Sequence, residues 1–423
     1  MRILILGGGA REHALCVALA GDATVDSLVC APGNAGTSLL AQSLPCDLTD
    51  RNECVAVATA TAPDLVVVGP EGPLVAGVAD ALRAGGFVVF GPSAAAARIE
   101  GSKAFAKDVM AAAGVPTAGA TVHRTAESAL GRLELQSPPY VVKYDGLAAG
   151  KGVTVTDDLG AARAAVRACL RDDGDAVVIE EYLDGPEVSL FAITDGVTVL
   201  PLRPAQDFKR IGDQDTGPNT GGMGAYSPLP WLAPPTVDDI ARTVLDPTVA
   251  ELAARGAPFA GLLYAGLAMT ARGPRVIEFN ARFGDPETQV VLPSLRTPLG
   301  GVLHAAATGD LAGAVLEWDD LVSVTVVLAA AGYPGTVRSG DVIDGLDAAA
   351  AVPGVSVLHA GTATRGGSVV TAGGRVLSVV GTAATVAAAR ETAYAAVRLI
   401  HFDGMQARSD IAQLAAEGAL PHF

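Results

Sequence analysis

At 423 residues, half of them apolar and only 17% charged, the chain is globular, too long for one core, and expected to form two to four domains. The net charge of −16 comes without any basic run. Nucleic acid is thereby excluded as a partner, because a phosphate backbone demands clustered Lys and Arg.

Five scattered cysteines (Cys16, Cys30, Cys46, Cys54, Cys169) form no C-x-x-C pair. They point to reduced thiols in the cytosol, with no disulfide framework or zinc site. The first apolar run meets glycines too soon for a signal peptide, and no apolar stretch reaches about 18 residues. A soluble cytoplasmic protein without a membrane partner is expected.

Residues 3–6 read as a buried strand, followed by Gly7-Gly8-Gly9-Ala10-Arg11-Glu12-His13 and a helical pattern. Strand, glycine turn and helix together present backbone N–H groups and a helix dipole to an anion. A nicotinamide dinucleotide fits poorly. Glu12 occupies the third glycine position, and the next strand, near 28–30, ends in Ala31-Pro32-Gly33 with no acid for a ribose. A monophosphate on Gly8, Gly9 and Arg11 fits better; the competing reading is glycines that serve only helix–strand packing. Strands at 64–68 and 87–90, with a helical stretch at 74–84 between them, predict a doubly wound parallel sheet binding ligand at its carboxyl ends. Asn34 and Glu71 are thereby placed to touch a sugar, although either serves equally well as a turn residue.

Ser102 opens a helix that stops at Gly114. Residues 140–143 form a strand running into Asp145-Gly146-Leu147-Ala148-Ala149-Gly150-Lys151-Gly152, then a strand at 153–156 and a helix over about 159–170. Glycine loops carrying lysines can fold over a triphosphate. There is no G-x-x-x-x-G-K-[ST], so this is not a P-loop protein. Lys143 at a strand end and Lys151 in the loop suggest a lid instead; the plainer alternative is a solvated Lys151. A strand at 177–183 then reaches Asp184-Gly185-Pro186-Glu187, where backbone could meet an adenine edge and an acid a ribose.

Residues 275–279 carry Val, Ile and Phe and read as a strand. Alternation puts Glu278 and Asn280 on one face. Both are hard oxygen ligands, suited to Mg²⁺ that also holds phosphate oxygens. Arg282 continues the parity and sets a guanidinium beside them. Gly284-Asp285-Pro286-Glu287 breaks the strand, with Pro286 predicted as the first residue of a helix. The plain alternative is an edge strand with a solvated Glu and a capping Asn. Beyond a boundary at 317–320, strands at 323–328, 355–358 and 375–380 and a helix at 386–400 read as an α+β unit with no chemical motif. Turns mark Gly361-Thr362 and Gly366-Gly367.

Lid lysines, an acidic strand end and then Glu-x-Asn-x-Arg, in that order, resemble the ATP-grasp superfamily. Nearly the whole chain is similar to its phosphoribosylamine–glycine ligase family. The motifs are Gly7 through Ala14, 31–36, 145–152, Gln206-Asp207-Phe208-Lys209-Arg210, 278–289 and Asp215-Thr216-Gly217-Pro218-Asn219-Thr220-Gly221-Gly222-Met223-Gly224-Ala225-Tyr226. The last is the most specific.

The resemblance implies an α/β fold in three parts. These are a doubly wound parallel-sheet domain for substrate phosphate (1–101), an ATP-grasp domain (102–318) with a mobile lid at about 120–187, and a C-terminal α+β domain (319–423). It implies ATP-dependent ligation of glycine to 5-phosphoribosylamine through a glycyl phosphate in purine biosynthesis, with Mg²⁺ or Mn²⁺, in a monomer. The alternative is another ATP-grasp ligase or carboxylase of purine synthesis. The implied catalytic residues are Arg282, Lys151 and Asp207, and the metal ligands Glu278 and Asn280. Nucleotide falls to Lys103, Lys143, Gly150, Gly152, Glu180, Glu181, Leu183 and Glu187. Substrate falls to Gly8, Gly9, Arg11, Asn34, Glu71, Asp145, Asn219, Gly284 and Asp285. Three departures stand out: Phe208 where many relatives have His, Ala281 for a frequent Cys, and no acid in the strand at 261–267.

Overall fold

The computed structural model describes residues 1–148, 152–171 and 175–419. In its N-terminal part, strand Arg2–Gly7 buries Ile3, Leu4, Ile5 and Leu6 alike, as a parallel strand covered on both faces must. Five strands lie in the order Gln42–Ser43, Ser27–Pro32, Arg2–Gly7, Leu65–Val68, Val89–Phe90, and every pairing is parallel. The order reverses at Arg2–Gly7, so the crevice opens beyond its carboxyl end. Helix Ala10–Ala20 follows the glycine turn. The helix expected over 74–84 is two pieces, Glu71–Val75 and Val78–Ala84. Gly77 separates them at φ +85, a conformation no right-handed helix continues through. The strand expected at 87–90 keeps only Val89–Phe90.

Helix Lys103–Ala113 starts as read, with the Ser102 hydroxyl accepting from the Phe105 N–H, and ends at Gly114. Next comes an antiparallel sheet ordered Ala120–His123, Val177–Glu180, Tyr140–Tyr144, Val153–Thr156. Helices Ala126–Glu134 and Leu159–Cys169 cover it, and Leu133, Val142, Val166 and Ile179 form a small core of its own. The unit thus has a hydrophobic core of its own. The strand expected to run to 183 stops at Glu180. Gly150 and Lys151 lie outside the described residues.

The site rests on a second antiparallel sheet, Val199–Pro201, Glu187–Asp195, Ala260–Thr270, Gly273–Asn280. Pro286 is not the first residue of a helix: 285–287 form a turn and the helix is Thr288–Val291. Two side chains pin that turn. Asp285 pairs with Arg375 at 3.2 Å, and Glu287 accepts from the Tyr264 hydroxyl at 2.7 Å.

The last sheet runs Gln206–Asp207, Gly224–Ser227, Val322–Ala329, Arg375–Ala383, Val355–His359. It crosses the boundary read at 317–320, since Gly224–Ser227 pairs with Val322–Ala329. The 215–226 string is thus welded to the C-terminal unit. Helix Val386–Val397 covers this sheet and ends short of the expected 400.

Candidate active site

Glu278 and Asn280 leave strand Gly273–Asn280 on the same side, opposite Gly266 and Tyr264. Two cavities meet at Glu278. The smaller, about 280 Å³, reaches toward Arg11, Glu71, Lys103 and Asp285. The larger, about 900 Å³, reaches toward Leu183, Asn219 and the C-terminal segment. Glu180, Asp207, Lys209 and Glu278 line both. Burial works against the charge of Glu278, but Lys143, Lys209, Lys103 and Arg282 outweigh it and hold the carboxyl below its ordinary range. It is therefore ionised at neutral pH, and surrounded by cations.

Each cation is aimed by a partner. Lys143 donates to the Ile277 carbonyl at 2.9 Å and pairs with Glu180 at 2.9 Å. Lys107 approaches the other oxygen of Glu180 at 3.2 Å. Glu180, expected at the nucleotide, is thus buried between two lysines. Lys103 donates to the Gly146 carbonyl at 3.0 Å. Lys209 pairs with Asp207 at 3.3 Å and with Glu187. Burial pushes the Asp207 carboxyl up to about 7; Lys209 resists, and Glu287 and Glu187 add to it.

Arg282 is gripped rather than free. Its Nη2 reaches Glu100 at 3.0 Å and Asn280 Oδ1 at 3.2 Å, and its Nε reaches Glu71 at 3.2 Å. Burial lifts the Glu100 carboxyl while Arg282 opposes the rise, and Glu100 also accepts from the Ala281 N–H at 2.7 Å.

The glycine turn is occupied by its own chain. Glu12 takes the Gly9 N–H at 2.6 Å and the Arg11 Nε at 2.6 Å, and Arg11 also donates to the Phe283 carbonyl at 3.2 Å. A side chain at Gly8 would place its Cβ 2.6 Å from the Gly33 carbonyl, so the loops touch only because Gly8 has none. Asn34 is engaged at both ends of its amide. It donates to the Gly8 and His359 carbonyls at 2.9 and 2.8 Å and accepts from the Gly36 and Thr37 N–H groups. Asp145 accepts from Ser102 and the Ala104 N–H, capping the helix that Lys103 begins. Gly152 lines the smaller cavity. Glu181, paired with Arg272 at 2.6 Å, lines the larger cavity. A Cβ at Gly284 would meet Glu287 at 2.6 Å.

Family models match the chain along most of its length. They are the phosphoribosylglycinamide synthetase N domain at 1–100, its ATP-grasp (A) domain at 101–288 and its C domain at 323–414. The phosphoribosylamine–glycine ligase of Streptomyces coelicolor is 61% identical, covering 98% of this chain and all of that one. The Mycobacterium tuberculosis ligase is 55% identical over 99% and 100%. The chain belongs to the phosphoribosylamine–glycine ligase family.

The crystal structure of the Thermotoga maritima ligase superposes with a TM-score of 0.83 at 34% identity, over 97% of this chain and 100% of that one. A biotin carboxylase domain from Hydrogenobacter thermophilus, 17% identical with a TM-score of 0.71 over 96% and 91%, shares the fold alone.

Among the described residues, no group of three or more His, Cys, Asp and Glu is placed to hold a metal. What fits a hard divalent cation is the ionised Glu278 with the Asn280 oxygen. Two donors suit an ion that completes its shell on phosphate oxygens. The strand position opposite Glu278, where an acid is absent, is Gly266.

Several site residues escaped the sequence reading. Lys209 and Glu287 lie inside quoted motifs, so their presence was visible but not their roles. Lys107, Glu100 and Arg375 belong to no motif; the fold alone brings them in. No helix of the described residues is long and apolar enough to cross a membrane.

Proposed function

We propose that the chain joins glycine to 5-phosphoribosylamine, converting ATP to ADP and phosphate and yielding glycinamide ribonucleotide for purine biosynthesis. Nucleotide takes the larger cavity and the two acceptor substrates the smaller. The observation that carries this reading is Glu278, ionised among four cations where the cavities meet. A phosphoryl group passing from one substrate to the other would cross there.

An amine cannot displace a carboxylate oxygen until that oxygen becomes a leaving group. Phosphoryl transfer to glycine makes glycyl phosphate, and the amine then expels phosphate. Such transfers are catalysed by positioning and charge neutralisation. Lys103, Lys143 and Lys209 supply positive charge at the junction. Arg282, pre-fixed by Glu71, Glu100 and Asn280, stabilises the acyl phosphate without reorganising. Glu278 and Asn280 would hold Mg²⁺ or Mn²⁺, which neutralises phosphate charge when bound. Asp207, poised near neutrality, accepts the proton of the attacking amine.

Leu183, Glu187 and Asn219 face the nucleotide. Arg11, Glu71 and Asp285 line the acceptor cavity, with Gly8, Gly9 and Asn34 shaping the turn behind it. The 120–187 segment closes as a lid and excludes water from the acyl phosphate, with Gly150 assigned to the nucleotide and Lys151 to the transfer. The parts we assign are 1–101, 102–318 and 319–423, in a cytoplasmic monomer.

ADP release with purified protein tests the reaction. Release that requires glycine and phosphoribosylamine together supports it. No release with that pair, or release driven equally by bicarbonate, sinks it.

A further inference from the structure

The far wall of the larger cavity joins two stretches remote in sequence, the 213–219 turn and the C-terminal segment 408–415. Arg408, its side chain 1% exposed, stitches them together. Its Nη1 reaches Asp215 at 2.7 Å and the Arg210 carbonyl at 3.2 Å. Its Nε and Nη2 grip Asp410, each at 2.7 Å. Asp410 accepts in turn from the Gln214 N–H at 2.7 Å, and Asp213 from the Ser409 N–H at 2.8 Å. The Arg408 guanidinium lies over the Phe208 ring, 5.1 Å from its centroid.

Backbone strain collects at the same place. Among the described residues, four non-glycine positions have positive φ: Ala62, Gln214, Asp215 and Ala412. Three of them, Gln214 (φ 55), Asp215 (φ 53) and Ala412 (φ 56), line this cavity. Left-handed backbone is unfavourable for side-chain-bearing residues and persists only where the surroundings enforce it, commonly at ligand clamps. The Arg408 network braces Gln214 and Asp215 directly. The strained turn also leads directly into Asn219, and the Lys209 carbonyl accepts from the Thr220 N–H at 2.7 Å.

We infer that the Asp213–Asp215/Arg408–Asp410 latch sets the affinity for nucleoside di- and triphosphate by holding the chamber wall in its strained form. Arg408 is a positioning residue: a side chain of the C-terminal unit that governs a ligand bound mainly by the central one. The inference rests on the larger cavity being the nucleotide's, and the test separates the two.

ADP with Mg²⁺ is titrated calorimetrically into wild type, Asp215→Gly, Asp410→Asn and Leu183→Arg, and KM for glycine is measured alongside. Asp215 is 68% exposed and its φ suits glycine, so Asp215→Gly should hold or raise Tm while cutting the latch. The expected result is an ADP dissociation constant raised about tenfold in both latch variants, the weight of one charge-assisted contact. Glycine KM should stay within about twofold. Wild-type ADP affinity in both latch variants overturns the latch, as does an equal loss for ADP and glycine accompanied by a lowered Tm. Unchanged ADP affinity in Leu183→Arg, which fills the cavity away from the latch, overturns the cavity assignment instead.

Discussion

Glu278 joins two roles that ordinarily conflict, a charged group and a half-buried position. Its four cationic neighbours reconcile them. Glu278→Gln keeps the shape and removes the charge, so the cations lose their counter-ion and the site its charged metal ligand. The fold should survive with Tm lowered by a few degrees at most, while kcat falls about a hundredfold or more. Raising Mg²⁺ should recover part of the loss; wild-type kcat at limiting Mg²⁺ would remove Glu278 from the metal site. Asp207 carries a pH signature. As a proton acceptor it works ionised, so kcat should rise with pH through about 7, and Asp207→Asn should abolish that limb. The same shift weakens the fold. Between the ordinary carboxyl value of 3.8 and about 7, the native state holds a proton that the unfolded chain has released, so stability declines as pH rises across that window. Denaturant midpoints at pH 4.5 and 7.5 check this: Asp207→Asn should lose more stability than wild type on going from pH 7.5 to 4.5. At this scale the sequence was informative wherever chemistry follows local period, as it does for Glu278 and Asn280. It was silent on Glu100, which meets Arg282 across 182 positions only because two units pack together.

Elements were legible where a local signal starts or stops them. Ser102 and Gly114 bound their helix as read. Pro286 misled because long-range contacts hold its turn open: Asp285 to Arg375 and Glu287 to Tyr264 override the preference of proline for a first helical turn. The unit we propose as a lid is an element-scale assembly with its own core. One anchor is Lys143 to the Ile277 carbonyl, another the pair of Glu181 and Arg272. Ligand that grips its glycine loop should slow its opening. Hydrogen exchange over peptides spanning 140–156 is expected to slow on adding a non-hydrolysable ATP analogue, while the Arg2–Gly7 strand stays unchanged. Equal protection in both states would leave no gating for the lid to perform.

At the scale of the molecule, pairing between Gly224–Ser227 and Val322–Ala329 leaves no local trace in the sequence. An antiparallel partner about a hundred residues away is chosen by the fold, not by any turn signal. The N-terminal and C-terminal units also meet directly. His13, on helix Ala10–Ala20, accepts the His359 N–H through Nδ1 at 2.8 Å, and the two rings lie 5.7 Å apart. Burial, and for His13 the neighbouring His359, lowers the two imidazoles to about 3 and about 4. An Nδ1 that accepts must be unprotonated, so the contact requires neutral His13. The sign follows from linkage. Above the unfolded value of 6.5, both states are neutral and stability is full. As pH falls below it, the unfolded chain gains protons that the native interface refuses until about 4, so stability is lost across that window. The chain should therefore unfold at lower denaturant at pH 5 than at pH 7.5, beyond the effect of Asp207, which runs the other way. His13→Asn with His359→Asn should shrink that acid loss while lowering stability at pH 7.5. An acid loss of the same size in the double variant would show that the interface between the two units does not carry it.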